Sequence, residues 1–114
     1  MSNTYSNRII ASGSERLLRG VDRYLQGTTD RTFRELQRPD SRNEKRGERV
    51  WTKGRSVKEG GDMRDTARDL SAIFTSLTVT IEFQDPLAGV TGRCRYKDDK
   101  EEDIDILYTD CDVT

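Results

Sequence analysis

The stretch GDMRDTARDLSAIFTSLTVTIEFQDPLAGVTGRCRYKDDKEEDIDILYT, residues 61–109, carries the clearest apolar patterning in the chain. Its first part has a helical period: Met63, Ala67, Leu70 and Phe74 recur at i, i+4, i+7 and i+11, and Ile73 widens the stripe. Arg64, Asp65, Arg68 and Asp69 take the other face. Asp62 is placed to cap this helix, and Asp65 adds a carboxylate to a first turn whose free N–H groups favour negative charge. From Leu77 the period drops to two. Leu77, Val79, Ile81 and Phe83 alternate with Thr78, Thr80, Glu82 and Gln84, the pattern of a half-buried strand.

Asp85-Pro86-Leu87-Ala88-Gly89 supplies turn chemistry, and a second strand follows from Val90 to Lys97. The acidic run Asp98-Asp99-Lys100-Glu101-Glu102 ends it, and Ile104, Ile106 and Tyr108 resume the alternation on a third strand. Opposed residues on one sheet face interact, so charge proposes a register. In the first hairpin it sets Glu82 against Arg93 and Ile81 against Cys94. In the second it sets Arg95 against Asp105, Lys97 against Asp103, Tyr96 against Ile104 and Cys94 against Ile106. A slip by one residue would turn each strand's apolar set to water, which pins the faces.

The chain before this unit is more basic and more interrupted. Residues 1–10, with Asn, Ser and two isoleucines, read as a loosely docked lead. Ser12-Gly13-Ser14-Glu15 matches a capping box, followed at helical spacing by Leu17, Leu18, Val21, Tyr24 and Leu25, with Gly27 as the expected C-cap. Arg16, Arg19 and Arg23 read as its solvated face. Thr29 or Asp30 caps a shorter helix with Phe33 and Leu36, which must stop before Pro39. Residues 38–60 turn to Arg, Lys, Glu, Gly and Ser and are expected as a basic, mobile loop in preference to an irregular hairpin around Thr52-Lys53-Gly54. The expected architecture is therefore α+β and a single domain over residues 1–114. It has two N-terminal helices, a basic loop, then an amphipathic helix packed on a three-stranded antiparallel meander.

With 32% hydrophobic and 36% charged residues and a mean hydropathy of −0.90, 114 residues bury only a modest core. No signal peptide or membrane span is legible, and two cysteines make no disulfide framework, so an intracellular, cytoplasmic protein is expected. Cys94 and Cys111 lie too far apart on the proposed third-strand register to be bonded. Catalysis finds little support. Without histidine the chain lacks the commonest general base and transition-metal ligand, and two distant cysteines cannot close a zinc site. Asp98-Asp99-Lys100 with Pro39-Asp40 has the letters of a metal-dependent nuclease motif, but in a turn. The cluster Asp98 to Asp105 lacks calcium-loop spacing and reads as a solvated turn. No enzyme, cofactor or metal is expected.

Charge is the most informative feature. Residues 1–60 hold 14 Arg and Lys against 8 Asp and Glu, and residues 61–114 hold 6 against 13. This asymmetry points to nucleic acid or to a self-complementary surface. The leading expectation is a non-catalytic protein-interaction or assembly module, viral or phage-like in its small, Arg-rich make-up, forming homo-oligomers through its basic and acidic halves. The alternative is an RNA or single-stranded nucleic-acid binder using residues 38–58. There Arg38, Arg42, Lys45, Arg46, Arg49, Lys53, Arg55 and Lys58 surround Trp51, whose indole would stack on a base. Against that stands Trp51 as a core residue, with the arginines in water or paired with the acidic sheet.

Overall fold

The computed structural model describes residues 4–40, 45–56, 58, 61–85 and 89–108. Its centre is a five-stranded antiparallel sheet, and this overturns the expected three-stranded meander behind two N-terminal helices. The elements run β1 (Thr4–Ser12), α1 (Glu15–Gly27), a 3-10 turn (Arg31–Leu36), β2 (Glu48–Ser56), α2 (Arg64–Ile73), β3 (Thr78–Asp85), β4 (Val90–Lys97) and β5 (Lys100–Tyr108). In space the strands lie in the order β2-β1-β3-β4-β5.

Two strands fall where the favoured reading placed a lead and a loop. The lead becomes β1, paired on one side with β2 (Ile9 to Trp51) and on the other with β3 (Ile9 to Ile81). Nine residues of the expected basic loop become β2. The physical reason is visible in β1, whose buried face carries Asn7, Ile9 and Ala11 while Ile10 lies on the other face. With one polar and one small residue on the inner side, the alternation is nearly silent in sequence.

Asn7 is nonetheless as buried as its neighbours. Its Nδ2 donates to the Gly61 carbonyl at 3.1 Å, and its Oδ1 accepts from the Met63 amide at 3.0 Å. One strand side chain thus satisfies the backbone where β2 passes into α2. Gly61 sits there at φ +66 with the Tyr5 ring beneath, so a Cβ would strike the ring.

The helices cover one sheet face. Leu18, Val21, Leu25, Phe33 and Leu36 close on Ile9, Ala11, Trp51 and Ile81, and α2 adds Met63, Ala67 and Leu70. Tyr24 holds the helices together edge-on against Phe33 and Phe74, at 5.7 and 5.5 Å between ring centroids. Ile73, assigned to the buried stripe from its spacing, is instead exposed. The caps also differ from expectation. Ser14 rather than Ser12 caps α1 by accepting from the Leu17 amide, Gly27 is its last helical residue, and Asp62 bonds the Arg64 amide from just outside α2. Asp30 caps the 3-10 turn as the spacing implied.

The first hairpin has the register read from charge and pattern, with Ile81 opposite Cys94 and Glu82 opposite Arg93. The second is displaced by two residues: Arg93 faces Asp105, Cys94 faces Ile104 and Arg95 faces Asp103. Asp98 and Asp99 both have positive φ, 52° and 64°, the signature of a two-residue type I′ turn. That turn fixes the pairing near Lys97 and Lys100, and an irregularity after Arg95 admits Glu102 as an extra residue.

Truncating Asn7 to Ala leaves the Gly61 carbonyl and Met63 amide buried without their partner. The variant is expected to lose about 1–3 kcal/mol in urea unfolding. Gly92→Ala places a Cβ inside the ring of Phe83, which lies over the glycine from β3, and is expected to lose about 1–3 kcal/mol by the same measurement.

Candidate functional site

Alternation along β2 distributes the residues expected to bind nucleic acid. Because Trp51 pairs with Ile9, Arg49, Trp51, Lys53 and Arg55 all project to the helix-covered side. There α1 and the 3-10 turn meet them with carboxylates. Arg49 donates from Nε and Nη2 to Asp22 at 3.1–3.2 Å and lies 3.8 Å from Glu15, while Arg55 lies 3.9 Å from Glu35. Lys53 is half-buried; Arg38, Lys45, Arg46 and Lys58 are exposed, and Arg42 lies outside the described residues.

Trp51 lies in the interior. It is 0% exposed and belongs to the core cluster, so its faces pack on protein rather than await a base. Its Nε1 has no partner among the described residues, and the ring borders a cavity of about 130 Å³ lined also by Asp22, Gln26, Leu36 and Pro39. Basic side chains and indole therefore share a segment but not a surface.

The acidic turn is structural. Asp98 Oδ1 accepts from the Ser76 amide at 3.1 Å, the Asp99 amide donates to Ser71 Oγ at 3.2 Å, and Arg68 Nε donates to the Asp99 carboxylate at 3.1 Å. These bonds tie the β4–β5 turn to α2. No three His, Cys, Asp or Glu among the described residues are grouped to hold a metal ion. Cys94 is fully buried, and burial pushes its thiol up, which works against the thiolate a nucleophile needs. Burial pushes the Tyr96 phenol up as well; its hydroxyl donates to Glu101 at 3.2 Å. Cys111 lies outside the described residues.

The face without helices has an ordered charge pattern. Arg8 of β1, Glu82 of β3, Arg93 of β4 and Asp105 of β5 stand in one cross-strand row, so the sign alternates across four strands. Arg8 and Glu82 approach to 3.5 Å with both side chains about half exposed. The adjacent row is Ile10, Thr80, Arg95 and Asp103. Opposite charges directly across strands each stabilise by roughly 0.2–1 kcal/mol. The face thus largely neutralises itself.

The rows end at β5, the last strand. Asp103 and Asp105 face an arginine on the β4 side, and on the opposite sheet face Ile104 terminates the apolar row Trp51, Ile9, Ile81 and Cys94. Residues 101–105 are all exposed, and Ile104 is 52% exposed although its row is otherwise fully buried. In sequence the third strand, if it ends the sheet, can be extended by another chain, but none of its residues stands out as a site. The signal was present in the alternation of Asp103, Ile104, Asp105 and Ile106, but it acquires meaning only once β5 is known to end the sheet.

No family model matches the chain, and neither the curated proteins nor the solved structures contain a match to it. Among the described residues no helix is long and apolar enough to cross a membrane.

Emission of Trp51, the sole tryptophan, is expected to be blue-shifted and protected from quencher in dilute protein, moving red on unfolding. Trp51→Ala is expected to lose about 3–5 kcal/mol of stability in denaturant titration.

Proposed function

We propose that this chain is a non-catalytic protein-interaction module that assembles with another chain by strand addition at the outer edge of β5. What supports the reading is one observation, the exposed edge strand whose Ile104 ends an otherwise buried apolar row. An edge strand offers unpaired backbone N–H and C=O groups, and a further strand that takes them up gains main-chain hydrogen bonds along its length. The β2 edge is less available. The Asp40 amide donates to the Val50 carbonyl at 2.6 Å and the Thr52 hydroxyl bonds the Asp40 carboxylate, so the segment after the 3-10 turn lies against it.

The carboxylates also decide which strands are refused. In an antiparallel pair of two β5 strands Asp103 and Asp105 would meet carboxylates of the copy, and directly opposed like charges are destabilising. Charged residues on an edge act in this way against self-pairing. A homo-oligomer through β5 is thus held back at low salt, while a strand of different charge is admitted. The nucleic-acid reading is left without its stacking element by the burial of Trp51, and no observation favours it.

The test removes the charge and uses a second copy as the added strand. Asp103→Asn/Asp105→Asn is expected to self-associate at millimolar concentration in size-exclusion chromatography with light scattering, whereas the unaltered chain stays monomeric at low salt and associates more as salt rises. A double variant that remains monomeric at every concentration and salt would show that β5 does not accept a strand.

A further inference from the structure

From the rows that end at β5, and resting on the strand-addition reading above, we infer that the partner is an extended protein segment of alternating basic and apolar residues. The partner's Lys or Arg lie opposite Asp103 and Asp105, and its apolar side chains lie opposite Ile104 and Ile106. The argument is the continuation of two patterns already laid across the sheet. On the open face the sign runs Arg8, Glu82, Arg93, Asp105, and the next position in an alternating row is a cation. The neighbouring row repeats the demand, because Asp103 stands beside Arg95 with its outer side open. On the helix face the row Trp51, Ile9, Ile81, Cys94 and Ile104 is apolar throughout, and its last member is half in water.

The chain contains an instance of the required strand. On the inner side of β5, β4 presents Arg93, Cys94 and Arg95 to Asp105, Ile104 and Asp103 in turn. A partner of the same pattern on the outer side would place each carboxylate between two cations and bury Ile104 between apolar neighbours. The irregularity after Arg95 confines the regular part of the edge to residues 103–108, so the recognised segment is short, about five or six residues. An acidic strand meets like charge twice, and a second β5 does the same. A neutral strand gains only the backbone ladder and the apolar row.

Three capped octapeptides test the inference: alternating Lys and Val, alternating Thr and Val, and alternating Glu and Val. Each is titrated up to millimolar concentration into the isotopically labelled full chain, with amide shifts read along β5. The Lys/Val peptide is expected to perturb residues 101–108 and to bind about two- to thirtyfold tighter than Thr/Val at low salt, the range that two cross-strand ion pairs supply. The gap should close at high salt and vanish in Asp103→Asn/Asp105→Asn, and Glu/Val should bind weakest. Equal binding of Lys/Val and Thr/Val at β5 at low salt would overturn the basic partner while leaving strand addition standing. If none of the peptides perturbs β5, strand addition itself falls. Perturbation by Lys/Val elsewhere than β5 would also overturn the inference, since the charge would then act without the edge.

Discussion

The pairing of β1 on both of its sides is the constraint on which the rest of the molecule depends. Thr4–Ser12 bonds β2 along one edge and β3 along the other, so neither can pair with its neighbour in sequence across that position. The connection from β2 to β3 must therefore cross over β1. It does so as α2, and it is held at the crossing by Asn7 through the Gly61 carbonyl and the Met63 amide. A buried amide costs free energy unless its bonds are made, and these two answer a backbone donor and acceptor that water cannot reach. Because α1 and α2 both pack on this side, one sheet face becomes the core and the other carries no helix among the described residues.

That division explains the charge layout. On the covered side the arginines of β2 meet carboxylates of α1 and the 3-10 turn, as Arg49 does with Asp22. On the bare side the charges pair across strands, beginning with Arg8 and Glu82. Most of these pairs form within one half of the chain, as Arg49 with Asp22 and Arg68 with Asp99, while Arg8 and Glu82 join the basic half to the acidic one. Arg64 shows the same economy on the helix-covered side: it bonds Asp62 at 2.9 Å and lies 5.1 Å above the Phe83 ring, which itself lies over Gly92. Among the described residues, what is left without a counterpart on its outer side is the last column, on β5.

The acidic run illustrates how one composition serves two ends. Asp98 and Asp99 adopt positive φ because Ser76, Ser71 and Arg68 receive their polar groups, and a turn so anchored positions the strand that follows. Four residues later the same chemistry becomes a guarded edge. Carboxylates in the turn bond inward to α2 and to Ser76 just after it, while among the described residues those at 103 and 105 face arginines on the β4 side only.

By itself the sequence determined the parts whose partners are near in the chain. The α2 stripe of Met63, Ala67 and Leu70, the strands β3 to β5 and the register of the first hairpin were legible, since period and charge there act over a turn of a few residues. The second hairpin was legible in its faces but displaced by two residues, because turn geometry at Asp98-Asp99, not cross-strand charge, sets where pairing begins. Only the tertiary structure decided that residues 4–12 and 48–56 are strands. Asn7 is a core residue only because Gly61 and Met63 arrive 54 and 56 residues later to bond it. Trp51 likewise has apolar surroundings contributed by α1 and the 3-10 turn, which a basic segment does not advertise. The candidate edge follows the same logic: Asp103, Ile104 and Asp105 could be read as an alternating strand, but it is the pairing of β1 with β3, about 70 residues apart in the chain, that covers one side of the β3–β5 meander and leaves β5 to end the sheet.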